Sequence, residues 1–266
     1  MSKSDQDTQG SSRWWEFYAV RYAMGSVIGG VIFFFLCKTH PALKSMLFGA
    51  EGGKLDGTLV LLFAAFGLTY CYLASAPMLV FHAGRFLLDR PDKRGASLKR
   101  LMITILPPAL ITIAFYHTGH WLMSSELWGI GRLFFTFVCA LAALVMWPQY
   151  LAVVLTLRKS KQLLRFYQRL ATKRTDSTNG IVESYRHLRE HGNSFAIVLL
   201  EIVLAILLFS VGNFVPTLIE KKILSTTTWQ DSDYAIAYVA VIFVWTLPAA
   251  FVWLIGTYFE REFSGV

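Results

Sequence analysis

Charged residues are scarce in this sequence. They make up 16% of the 266 residues, whereas 55% are hydrophobic. Soluble domains usually contain about a quarter charged residues. The composition therefore argues against a soluble globular protein and favours a chain that is embedded largely in lipid.

Cysteine is rare in the sequence, and a secretory signal is missing. The only cysteines, Cys37, Cys71 and Cys139, lie inside apolar runs and form no CxxC pair. An odd number in such surroundings argues against a disulfide framework. The opening MSKSDQDTQGSS has no apolar core and no cleavage site. We expect residues 1–12 to be a disordered cytoplasmic tail.

Sequence signatures of enzymes and metal sites are missing as well. The chain has no GxSxG, no HExxH, no phosphate-binding glycine loop and no DxxxD pair in an apolar run. His117 with His120, and His187 with His191, have the spacing of shared ligands, but neither pair has an evident third ligand. We therefore predict a protein that is not an enzyme and that has no cofactor or metal.

Long apolar runs are what the sequence has in excess. A transmembrane helix needs roughly 20 apolar residues. Six runs qualify, and two of them are weaker candidates for a span. Glycines dilute the apolar character of the first run, and Pro107-Pro108 interrupts the third. Prolines are tolerated in spans when neighbouring groups bind the freed carbonyls. We predict an all-α membrane protein with about six transmembrane helices, at 18–37, 58–82, 101–120, 133–157, 194–218 and 235–257.

The distribution of Lys and Arg predicts the orientation. With six spans, the N-terminus, loops 83–100 and 158–193 and the C-terminal tail 258–266 share one side, and they hold 19 of the 25 basic residues. The opposite loops hold the other 6. Since cytoplasmic loops are enriched in Lys and Arg, both termini are predicted to be cytoplasmic. Residues 13–157 would contain the first four helices and 194–257 the last two.

The longest inner loop, 158–193, has a helical pattern. In RKSKQLLRFYQRLATKR, apolar residues recur at i, i+3, i+4 and i+7, as in an amphipathic helix. The basic residues Lys161, Arg165, Arg169 and Lys173, here called the basic stripe, recur every four residues. A turn at TDSTNG and a second short helix, IVESYRHLREH, follow. We predict a basic cytoplasmic helical hairpin.

Two interpretations of the basic stripe remain open. It can rest on anionic headgroups of the lipid bilayer, at roughly 1 kcal/mol for each basic residue near the surface. Alternatively, it binds a polyanion such as a nucleotide or oligonucleotide, or an acidic cytosolic partner protein. In that case the basic residues of the other inner loop would contribute: Arg90, Lys93, Arg94, Lys99 and Arg100.

A single carboxylate interrupts the fifth apolar run, SFAIVLLEIVLAILLFSVGNFVPTL. Glu201 lies seven residues past Ser194, which is roughly 10 Å into the span at 1.5 Å per residue. A carboxylate facing lipid at that depth costs a few kcal/mol. We therefore expect Glu201 to face protein or water. Its structural interpretation is an intramembrane salt bridge or hydrogen bond. Arg21 is the best candidate partner, because it also lies near the inner end of its span.

The functional interpretation of Glu201 is that it lines an oligomeric pore or acts as a protonatable site in a transporter. Ser210 and Asn213, further along the same run, offer polar groups for the same path. Three functions follow: a homo-oligomeric channel or pore-like effector gated from the cytoplasm, a proton- or cation-coupled transporter, or a membrane scaffold that recruits a cytosolic partner.

The layout resembles that of the small polytopic membrane effectors of bacterial anti-phage systems, which pair with a cytosolic nucleotidyltransferase (the Hailong type). The similarity lies in the polar start, the several spans and the basic inner loops, with YCYLASAPMLVFHAGRFLLDR at 70–90 as the most distinctive stretch. The resemblance implies a multimeric channel of the bacterial inner membrane that arrests or kills the host cell. Its control would come from a nucleic-acid-like product, which would contact the basic stripe.

Overall fold

The computed structural model describes residues 22–38, 57–87, 94–122, 128–175, 181–220 and 231–264. Within these ranges all regular secondary structure is helical, and they contain no strand. The all-α class predicted from the sequence is thereby confirmed for the described part of the chain.

The helices are numbered in chain order. A short 3₁₀ turn, Gly84–Leu87, directly continues the second of them. The α-helices are α1 (Tyr22–Lys38), α2 (Gly57–Ala83), α3 (Arg94–Leu122), α4 (Trp128–Arg158), α5 (Ser160–Thr175), α6 (Ile181–Glu220) and α7 (Asp231–Ser264).

Four segments of these helices are long and apolar enough to cross a membrane: Gly57–Leu87, Leu133–Arg158, Gly192–Val211 and Ala235–Tyr258. They coincide with the second, fourth, fifth and sixth predicted spans. The described residues at the first and third predicted spans form shorter apolar helices, Tyr22–Lys38 and Met102–Ala114. A membrane location is therefore indicated by four helices, and the count of six stays a prediction.

The outer surfaces of these helices are apolar. Leu61 and Phe195 are each 72% exposed, and Trp253 is 64% exposed. Soluble proteins rarely expose contiguous apolar patches larger than a few hundred Å². In contact with lipid tails, these apolar surfaces avoid the free-energy cost of exposure to water.

The chain forms two compact units. The first comprises Met1–Ser75 and Asn179–Ile202, and the second comprises Ala76–Thr178 and Val203–Val266. Helices α2 and α6 each contribute residues to both.

In the first unit, α1 and α2 approach so closely that only glycine fits between them. A Cβ atom on Gly67 would lie 2.2 Å from the Ser26 carbonyl oxygen and 2.4 Å from the Gly30 nitrogen. The Ser26 hydroxyl donates to the Ala64 carbonyl at 2.8 Å. Small residues and interhelical hydrogen bonds of this kind are typical of helix packing in membranes.

In the second unit, two aromatic side chains of α4 bind carbonyls that prolines leave without an intrahelical donor. Pro107 lacks the N–H that would bond Ile103, and the Trp147 indole N–H donates to that carbonyl at 3.0 Å. Pro248 likewise frees the Val244 carbonyl, which accepts a hydrogen bond from the Tyr150 hydroxyl at 2.9 Å. Side chains of a neighbouring helix thus bind the carbonyls that Pro107 and Pro248 leave free.

The described residues of the predicted cytoplasmic hairpin lie almost entirely in helices, and the hairpin itself stays a prediction. Helix α5 follows α4 almost without a break, because Lys159 donates to the Leu155 carbonyl and its own carbonyl accepts from Leu163. The second short helix is not separate: it is the start of the 40-residue helix α6. The sequence offers only Gly192 as a breaker there, and one glycine costs a helix only about 1 kcal/mol. The predicted turn at residues 176–180 lies outside the described residues.

Candidate functional site

The Glu201 side chain is completely buried, with 0% exposure. It lies on the part of α6 that belongs to the first unit, together with α1 and the N-terminal part of α2. This agrees with the expectation that the carboxylate faces protein or water rather than lipid, and the structure specifies protein.

Gly25, Cys71 and Tyr70 surround Glu201 and, with it, are called the Glu201 site. A Cβ atom added to Gly25 would lie 3.2 Å from the Glu201 Oε1 atom and 2.4 Å from the Cys71 Sγ atom. The space for the carboxylate and the thiol thus exists because residue 25 has no side chain. The Tyr70 hydroxyl donates to the Glu201 backbone carbonyl at 2.7 Å, which fixes α2 against α6 at this level.

The carboxylate is poorly satisfied by the described residues. Neither Oε1 nor Oε2 of Glu201 accepts a hydrogen bond of good geometry from them. The nearby Cys71 thiol is a weak donor. A buried carboxylate needs a proton, a cation or strong donors, because burial of the isolated charge is very costly. The described residues supply no such compensation for Glu201 beyond the Cys71 thiol.

The other intramembrane residues predicted from the sequence do not join this site in the described part of the chain. Arg21 lies outside the described residues. Ser210 is buried in the second unit, and its hydroxyl donates to the Ile206 carbonyl of its own helix. Asn213 lies on α6, but its side chain lies outside the described part.

The amphipathic pattern of α5 is present in the structure. Leu163 is buried, with 6% exposure, and Leu164 and Tyr167 line a cavity in the second unit. Lys161, Arg165 and Arg169 are exposed. At about 100° per residue, the three basic residues lie on the opposite side of the helix from Leu163 and Tyr167. These three residues of the basic stripe therefore point away from the helices on which α5 packs.

The remaining predicted basic residues are placed by backbone alone. Lys173 is in the last turns of α5, whereas Arg94 and Arg100 are in the first turns of α3. Their side chains lie outside the described part of the chain. Their membership of a common basic surface stays a prediction.

Two buried polar residues of α4 were not identified from the sequence. Gln149 is 0% exposed and Thr156 is 1% exposed. The Gln149 side-chain amide donates to the Val145 carbonyl at 3.1 Å, while its Oε1 has no partner among the described residues. Their i, i+7 spacing within an otherwise apolar span was the available signal, since such positions share a helix face.

Comparison of the chain with protein-family models, with curated proteins and with solved structures gave no match. In the described residues, no group of three or more His, Cys, Asp and Glu side chains is placed to hold a metal ion.

Proposed function

We propose that this protein is an oligomeric channel, or pore-like effector, of the bacterial inner membrane, with six spans and both termini in the cytoplasm. A polyanionic nucleotide or oligonucleotide on the basic stripe would gate it. The observation that carries the proposal is the two-sided character of α5. One face of this helix packs on membrane helices, and the other exposes Lys161, Arg165 and Arg169.

Helix α5 is connected to several membrane helices, so a ligand bound to α5 can affect their positions. It continues from the end of α4 through the hydrogen bonds at Lys159. Its apolar face shares one cavity with His82 at the end of α2 and with Val252 of α7. A ligand that displaced α5 would therefore move the inner ends of three membrane helices together.

The ligand chemistry follows from the spacing of the charges. Basic residues four positions apart rise by about 6 Å along a helix, so successive side chains can each contact a separate phosphate group. Such contacts give salt-dependent affinity without reading a base sequence. The resemblance to nucleotidyltransferase-linked effectors supplies a source for the ligand, namely the cytosolic partner enzyme.

The experiment replaces Lys161, Arg165, Arg169 and Lys173 by Glu and measures conductance in planar bilayers. Single-stranded oligodeoxynucleotide is the probe. In the wild type it is expected to change the open probability, whereas the variant should lose this response and keep its conductance. Binding should lose about 0.7 of the log–log salt slope for each phosphate contact removed. Lys221→Glu with Lys222→Glu, on the predicted outer side, is the matched control.

An unchanged oligonucleotide response in the stripe variant would contradict gating through α5. A wild type without any conductance that still captured a cytosolic protein would support the scaffold function instead.

A second candidate function, a proton- or cation-coupled transporter, is favoured by the complete burial of Glu201 beside Gly25 and Cys71. The sequence predicts an ion pair between Glu201 and Arg21, which lies outside the described residues. Binding of a proton or a cation would then compete with this ion pair. Such competition would couple the binding of a proton or cation to the contact between the first and fifth predicted spans.

Glu201→Gln distinguishes the two functions. The variant keeps the shape of the side chain and removes its charge. In a transporter it should abolish flux driven by a proton gradient in proteoliposomes, while leaving the protein folded. If the variant changed only ion selectivity or conductance, the pore interpretation would hold. A loss of thermal stability alone would make the residue structural.

A further inference from the structure

A cavity of about 610 Å³ lies in the second unit, where α5 meets the C-terminal ends of the apolar segments of α2, α4 and α7. Its size falls within the range of small-molecule sites. The proposed function uses α5 only through its basic stripe, on the opposite side of the helix, so this cavity is not explained by polyanion binding.

The walls of the cavity provide few hydrogen-bonding partners for water. Most are apolar, with Leu79, Leu163 and Val252 among them. Three of the polar lining groups bond their own helices: the Thr156 hydroxyl donates to the Ala152 carbonyl at 2.7 Å, the Thr257 hydroxyl to the Trp253 carbonyl at 3.1 Å, and His82 Nδ1 to the Met78 carbonyl at 2.7 Å. The Tyr167 side chain also lines the cavity. A bound water needs two to four polar partners. The cavity therefore suits an apolar occupant.

The cavity opens onto a surface that lipid covers. Trp253 lines it and is 64% exposed, and Leu79, on another wall, is 45% exposed. Both belong to segments long and apolar enough to span the membrane. An acyl chain of the bilayer can thus enter sideways without crossing an aqueous region.

Basic residues follow the lining residues at the inner end. Arg85 comes three residues after His82, and Arg158 comes two residues after Thr156. Lys161 is not included, because it lies on the face of α5 opposite Leu163. Helix α2 with its 3₁₀ turn, α4 and α5 contain no acidic residue at all. On α7, Glu260 and Glu262 follow the lining residues and flank Arg261. The charge at this level favours an anionic headgroup.

We propose that the cavity binds an anionic phospholipid of the bilayer. One acyl chain fills the space between α5 and the membrane helices, and the phosphate headgroup lies at Arg85 and Arg158. The lipid acts as a wedge that sets the position of α5. The inference requires a membrane location but not a channel, so it is independent of the proposed function.

A cavity-filling variant tests the acyl-chain site. Gly256 lines the cavity, and a Cβ atom added to it meets no atom within 4 Å, so Gly256→Phe can occupy the space without displacing the backbone. Gly192 also has open space around an added Cβ atom and does not line the cavity, which makes Gly192→Phe the matched control. The full-length proteins are purified from mixed phosphatidylglycerol and phosphatidylcholine nanodiscs, and retained lipid is measured by native mass spectrometry.

The wild type and Gly192→Phe are expected to retain phosphatidylglycerol, and Gly256→Phe should retain several-fold less. Arg85→Gln with Arg158→Gln should keep a lipid but lose the preference for phosphatidylglycerol over phosphatidylcholine. Equal retention in Gly256→Phe and the wild type would overturn the proposal. So would a wild type without bound lipid, or a Gly256→Phe variant that changes only the oligomer size, which would identify a second copy as the occupant.

Discussion

At the scale of single residues, the close approach of α1 and α2 depends on Gly67. Gly67→Ala would bring a Cβ atom to 2.2 Å from the Ser26 carbonyl oxygen and 2.7 Å from the Gly30 Cα atom. Both atoms are backbone, so the helices must separate. Overpacking of this kind costs about 1–3 kcal/mol, and we expect a lower free energy of unfolding, measured by denaturant titration in mild detergent.

Gly57→Ala is the control for that prediction. It lies on the same helix, and a Cβ atom there meets nothing within 4 Å. Because alanine is the better helix former by about 1 kcal/mol, this variant should be neutral or slightly more stable. Equal destabilisation by both substitutions would contradict the prediction, because Gly57 makes no close contact with another helix of the described part of the chain.

Part of the environment of Glu201 could be predicted from the sequence, and part could not. The burial of Glu201 follows from the cost of a charge in lipid, which is a property of one residue and its depth. Its neighbours Gly25, Tyr70 and Cys71 do not follow, because their contact depends on how α1, α2 and α6 pack. The sequence offers no local signal for that packing, since the three residues are ordinary members of apolar helices.

At the scale of helices, the hydrogen bond from Trp147 to the Ile103 carbonyl compensates for Pro107. Trp147→Phe should therefore lower the free energy of unfolding by about 0.6–1.7 kcal/mol, the range of interhelical hydrogen bonds in membranes. Pro107→Ala restores the intrahelical N–H donor. In that background Trp147→Phe should cost measurably less, as judged by a double-mutant cycle of unfolding free energies.

Thr112 provides an internal comparison, since its hydroxyl donates to the Pro108 carbonyl within α3 itself. Thr112→Val should show no coupling to Trp147→Phe. If Trp147→Phe cost the same with and without Pro107, the indole would stabilise the protein through packing alone.

The apolar segments were predicted to within a few residues, as for Leu133–Arg158 and Ala235–Tyr258. The helices that contain them, α4 and α7, extend further. Helix bounds were predicted less well where neighbouring helices join. The stretch IVESYRHLREH was expected to be separate, yet α6 runs through Gly192 without a break. When a helix extends on both sides of a glycine, the rest of the helix offsets the propensity cost of that glycine. The local sequence pattern around Gly192 does not show how far the helix extends.

At the scale of the whole molecule, the basic loops discriminate between four spans and six. If only Gly57–Leu87, Leu133–Arg158, Gly192–Val211 and Ala235–Tyr258 crossed the membrane, residues 88–132 and 159–191 would face opposite sides. Loop 83–100 holds 6 basic residues and loop 158–193 holds 9. One of these groups would then lie outside the cytoplasm, against the positive-inside rule. A crossing by α3 places both groups inside.

Single cysteines and a membrane-impermeant maleimide measure this directly in intact cells. We expect Ser97→Cys and Ser177→Cys to react only after permeabilisation and Ser125→Cys to react without it. The native Cys37 and Cys71 are buried, with 0% and 3% exposure, and Cys139 is partly buried in its span, so the wild type is the blank. Reaction of Ser97→Cys but not Ser177→Cys in intact cells, or the reverse, would establish that α3 does not cross. The cytoplasmic surface proposed for polyanion binding would then consist of one basic loop at most.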